Sequence, residues 1–170
     1  MVPPKYEFTG EVRGNLGRVL KRIRRLSDGL VGGWIEHEEN LSHEGSCFVY
    51  DYAQVSGYAR VQDDAQARNT ARVSDHAILR DHAQARGKTW INGHAILRDR
   101  AVATCRSWVG DRAMICDEAS LSGDAAASDD AVIGGTTQVR QNAWLRGSTH
   151  VRRLGMVFND SDRVVNVTYL

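Results

Sequence analysis

The sequence predicts an all-β fold, a parallel β-solenoid wound in triangular coils, and three observations carry that prediction. From Ala53 to Thr149 every sixth residue is small, and two places after each sits an aliphatic residue, from Val55 to Val151, seventeen times without a break. A fixed short period of this kind marks a stack of repeats. The second place after the aliphatic residue is Gly, Asp or Asn in fourteen of the seventeen hexads. These types accept positive φ, so this place is the corner. Finally, His76-Ala77-Ile78-Leu79-Arg80-Asp81 recurs as His94-Ala95-Ile96-Leu97-Arg98-Asp99 eighteen residues later, which assigns three hexads to a coil.

Residues 1–46 read as an N-terminal cap, because a solenoid needs a polar-faced element over its open end. Tyr6 to Gly10 alternates like a strand and ends on a breaker. Between Arg18 and Leu26 the apolar places suit either a helix face or a strand. This stretch also gathers Arg18, Lys21, Arg22, Arg24 and Arg25, a basic cluster that either meets phosphates or forms the solvated face of the cap.

Residues 47–153 form the array. In each hexad the small and aliphatic residues lie two apart and point the same way in an extended segment, so together they build the core. Parallel strands stack at about 4.8 Å, which gives about six coils roughly 29 Å long. After residue 153 the period lapses. Met156-Val157-Phe158, the turn from Asn159 to Asp162, and Val164 to Val167 predict a β-hairpin that caps the far end over residues 154–170.

The lead-in Gly32-Gly33-Trp34-Ile35-Glu36, the acidic step Glu39-Asn40-Leu41-Ser42 and hexads of the form Ala-x-Val-x-Gly/Asp together resemble a group of bacterial and prophage hexapeptide-repeat proteins of the left-handed β-helix superfamily. The left hand is what this resemblance implies, since general crossover rules favour the right. The superfamily's trimeric acyltransferases imply an acyl or sugar-nucleotide transferase that uses coenzyme A and a histidine base. The prophage likeness implies a phage or mobile-element accessory protein in the host cytoplasm.

A net charge of +1 gives no overall pull toward nucleic acid or a membrane surface. Three cysteines, Cys47, Cys105 and Cys116, lack metal-ligand spacing, and no charged-then-apolar leader opens the chain, so a reducing cytoplasm is the expected setting. Cys47 falls in a small inward place, and Cys105 and Cys116 are read as corner residues.

The residue between each inward pair faces out, and sorting these by eighteen gives three columns. Ile78, Ile96, Met114 and Val132 form an apolar run on one face; Trp90, Trp108 and Trp144 share a neighbouring face; the third is polar. Contiguous apolar side chains that face water mark an interaction surface, and Trp and Met are enriched where partners meet. A homodimer or homotrimer, or a host or phage protein partner, is therefore expected on these residues, unless the caps fold over them.

Histidines offer the candidates for catalysis. His76, His82 and His94 are the residues a transferase would use. Yet the hexads run on without the extruded loop that encloses substrate in such enzymes, and the eighteen-residue duplication carries His76 and His94 along as repeat units. Asp63, Asp81, Asp99 and Asp117 share a corner column whose oxygens suit calcium, but Arg neighbours and the need for Asp at the turn favour a charge ladder. No metal and no cofactor are expected on this reading, and the leading function is noncatalytic protein binding. Nucleic-acid binding through the Arg cluster is the third alternative.

Overall fold

The computed structural model describes residues 2–15, 17–160 and 162–170. Three parallel sheets make the walls of a triangular solenoid of about eight coils, about 34 Å from first to last at the parallel-strand spacing. Within the array each strand pairs with strands eighteen residues away, as Ile96–Leu97 does with Ile78–Leu79 on one side and Met114–Ile115 on the other.

The corner assignment holds at every place from Gly57 to Gly147. All have positive φ, including Cys105 at 64° and Gln141 at 55°. Asp and Asn do more here than tolerate the left-handed region. Asp63 Oδ2 accepts the backbone N–H of Asp81 at 3.1 Å, Asp81 that of Asp99 at 3.1 Å, Asp99 that of Asp117 at 3.0 Å, and Asp117 that of Gly135 at 2.8 Å. The other corners repeat the device, with Asp75 on Gly93, Asp129 on Gly147 and Asn69 on Gly87. These Asp and Asn side chains thus pair a polar backbone group of the following coil, a bond that Cys105 and Gln141 do not make. Cys116 departs from the expectation: Asp117 is the corner, and Cys116, one residue earlier, is buried.

Inside, the aliphatic column from Val55 to Val151 is no more than 1% exposed, and the facing small column is equally closed. Hydroxyls in the small places are satisfied. Thr89 Oγ1 donates to Arg86 O at 2.6 Å and Thr149 Oγ1 to Arg146 O at 2.6 Å.

At the N-terminal end, β1 (Tyr6–Asn15) and β2 (Arg18–Arg25) form an antiparallel hairpin, and β3 (Val31–Ile35) pairs antiparallel with β2 and parallel with Gln54–Val55. The stretch open to two readings is therefore a strand. An irregularity in its pairing between Arg22 and Arg24 lets Leu20 and Ile23, three residues apart, both be buried. Coiling begins before the hexads: Ile35, Leu41 and Val49 are inward residues of a first coil, with Leu41 bridged to Val61. The lead-in motif has a steric cause, because a Cβ on Gly33 would overlap Ala53 O and one on Gly32 would meet Val49 O at 2.6 Å. Asn40 locks the step: its Oδ1 accepts the N–H groups of Glu36 and His37, and its Nδ2 donates to Gly57 O and Ala59 O.

The expected C-terminal hairpin does not form. Val157–Phe158, Arg163–Val165 and Thr168–Tyr169 each add a parallel strand to one of the three sheets, making a further coil instead. The inward places fall at Phe158, Val164 and Tyr169, close to the hexad spacing, and the one-residue insertion after Val151 is absorbed at Gly155, with φ 69°. Ser161, part of the expected turn, lies outside the described residues. With coils added at both ends, the count is eight rather than six.

Candidate functional site

The outward columns stand as the register requires. Ile78, Ile96, Met114 and Val132 are consecutive neighbours in one sheet, each half-buried because the coils above and below flank it. Neither terminal segment covers them: the hairpin extends the Trp face, and the last coil stacks on the end. The Trp column belongs to a different sheet, so a flat partner meets either the Ile column or the Trp column.

The three tryptophans differ. Trp108 donates its indole N–H to Asn92 Oδ1 at 2.9 Å, and Trp144 donates to Ser128 Oγ at 3.1 Å, each reaching back sixteen residues to the previous coil. Both are half-buried. Trp90 makes no such bond and is 47% exposed.

Charge divides the array at the middle of the Ile column. Residues 71–106 carry seven basic and three acidic side chains, a formal +4, whereas residues 107–142 carry two basic and six acidic, a formal −4. The sign changes between the coil of Ile96 and the coil of Met114. Uniform net neutrality conceals this in the whole-chain balance.

The histidine candidates stand on two different corners. Tyr58, His76 and His94 stack along one corner, with ring centroids 5.0 and 4.6 Å apart and planes within 13° and 8°. His82 Nδ1 lies 3.5 Å from Asp64 Oδ2 on an open, exposed corner. His76 and His94 have no carboxylate in ion-pair contact among the described residues.

The acidic column is committed elsewhere. Asp99, Cys116 and Asp117 bring ligand-type atoms within 4.8 Å of one another. However, Asp99 Oδ2 and Asp117 Oδ2 accept backbone N–H groups, and Arg98 and Arg152 pair with them at 3.2 Å each. The Gly135 N–H holds the Asp117 carboxyl below the usual range, with Arg152 assisting against partial burial, while burial pushes the Cys116 thiol up. A cation would have to displace these partners.

The basic cluster of the cap is likewise spent. Arg18 pairs with Glu36, Arg22 with Glu11, Arg24 with Glu7 and Arg25 with Asp28, at 2.6 to 3.1 Å. Arg25 holds Asp28 down to about 2. Lys21 lies over the Phe8 ring. A nucleic-acid backbone finds few free cations here.

One arrangement has no trace in the hexad pattern. The hairpin tip brings Asn15 and Arg18 against Gln54, Arg72 and Trp90 of the Trp face, enclosing a cleft of about 300 Å³. Residues more than fifty positions apart meet there because β1 and β2 fold onto that face.

No protein-family model matches the chain, and no curated protein matches it. Among the described residues no helix is long and apolar enough to cross a membrane.

Proposed function

We propose that this chain is a noncatalytic β-solenoid that works by binding protein through the Ile78, Ile96, Met114 and Val132 face, and that its first partner is a second copy of itself. The hexads and lead-in motif supply the likeness to hexapeptide-repeat β-helix proteins; the site supplies the function. The observation that carries it is the reversal of charge at the centre of the apolar column. Two copies packed face to face with antiparallel axes, about a twofold axis between Ile96 and Met114, set the +4 half of each against the −4 half of the other. Apolar contact then supplies the attraction and charge the register. Copies packed side by side in the same direction would oppose like charge to like.

Light scattering on the wild-type chain and on a triple variant, I78S/I96S/M114S, tests this. The expected results are a dimer of 18.9 kDa chains for the wild type and a folded monomer for the variant. A wild-type monomer at tens of micromolar concentration, or a variant that remains dimeric, refutes the reading.

A further inference from the structure

We propose that the cleft between the hairpin tip and the Trp face binds an acidic sugar, a hydroxyl-rich ring carrying a carboxylate or phosphate. This site lies on a different face from the self-association surface and stands apart from that reading.

The floor is a ladder. Gln54, Arg72 and Trp90 are outward neighbours in register, and Ser56, Ser74 and Asn92 run beside them. The wall is fixed in place before any ligand arrives. Asn15 Nδ2 donates to Gln54 Oε1 at 2.5 Å, Arg18 pairs with Glu36 at 2.9 Å, and Glu36 also accepts the Gly57 N–H at 2.7 Å. The resulting volume is at the small end of the range for small-molecule sites.

Its charges balance in number, Arg18 and Arg72 against Glu36 and Asp75, but their pairing is uneven. Arg18 engages both nearby carboxylates, Glu36 and, at 3.9 Å, Asp75. Arg72 is left without a carboxylate partner among the described residues, its guanidinium 5.9 Å from the Trp90 ring. Arg13 stands over Trp34 at 4.5 Å and also has none. Burial, and then the positive charges of Arg72 and Arg22, lower the Arg13 pKa.

Trp90 adds the second requirement. Unlike Trp108 and Trp144 it has no hydrogen-bond partner for its indole N–H among the described residues, and unlike the buried Trp34, whose N–H is also unpaired, it presents a ring face and that donor together to solvent. The C–H face of a sugar packs on such a ring, its anionic group reaches Arg72, and its hydroxyls meet Ser56, Ser74, Gln54 and the free Nδ2 of Asn92. An inorganic anion would leave the indole unused, and a neutral sugar would leave Arg72 unpaired.

Isothermal titration of the full chain with digalacturonate, glucose 1-phosphate and glucose distinguishes the sources. At least one acidic ligand is expected to bind with Kd near or below about 1 mM, and glucose at least about tenfold more weakly. Binding of the first identifies a uronate chain, binding of the second a sugar phosphate. R72Q, which breaks no ion pair, should keep the wild-type melting temperature and lose affinity about tenfold or more. W90F should keep binding and W90A weaken it. The proposal is overturned if neither acidic ligand binds at about 10 mM, if glucose binds as well as they do, or if folded R72Q binds as the wild type does.

Discussion

Ile96 and Met114 are paired neighbours in one parallel sheet, and the sign of the solenoid's charge changes between their coils. A twofold axis at that point places Ile78 opposite Val132 of the partner subunit. In a Cys105→Ser background, which removes the exposed thiol, a mixture of the Ile78→Cys and Val132→Cys chains should form an intermolecular disulfide. Neither chain alone should do so. Self-linking of Ile78→Cys would show parallel packing and remove the antiparallel arrangement.

Asp99 combines two roles, a left-handed backbone at φ 59° and acceptance of the Asp117 N–H. Asp99→Ala loses both and should cost about 1–2 kcal/mol in urea unfolding, the carboxylate being partly exposed. Asp99→Asn should cost well under half of that, because Asn69 already performs both tasks. Equal losses for the two variants would mean that an amide replaces the carboxylate in neither task.

Acid should weaken the stack. The folded Asp117 carboxyl lies below its unfolded value, chiefly because it accepts the Gly135 N–H. Its contribution is therefore complete above the unfolded value of about 3.9 and is lost as pH falls through the lower folded value. Urea midpoints should be level from about pH 7 to 5 and decline below about pH 4. Asp117→Asn should show a smaller decline, and an equal one would assign the acid sensitivity to other groups.

Gly33→Ala should destabilise by about 1–3 kcal/mol, since the added methyl overlaps the backbone carbonyl of Ala53 and cannot be relieved by a side-chain rotation. Gly14→Ala, in the hairpin, meets nothing within 4 Å and should change stability by less than about 0.5 kcal/mol. Thermal or urea melts of the two variants check the contrast.

Much of this molecule is legible in the order of its residues. The small and aliphatic columns fix what points inward, and the offset between His76 and His94 fixes the coil, because each hexad has the same local task and expresses it the same way. Legibility falls where the task changes. Phe158, Val164 and Tyr169 continue the coil with large residues at spacings of six and five, so the pattern there reads as a hairpin although the backbone still pairs in parallel. The cap cluster from Arg18 to Arg25 reads as free charge because its partners, Glu7, Glu11, Glu36 and Asp28, are brought to it by strand pairing and a turn. The cleft at Arg72 and Trp90 depends on where the hairpin tip comes to rest, and no hexad encodes that.

The corner bonds from Asp63 to Gly135 all point one way. A carboxylate of one coil waits there for an N–H that lies eighteen residues further along the chain, so each of these coils is a template with an acceptor already set for its successor. This ladder is thereby polar, and its direction is that of synthesis. A nascent chain that has formed the hairpin and first coil can add the rest one layer at a time as each leaves the ribosome, without holding long unfolded stretches in reserve.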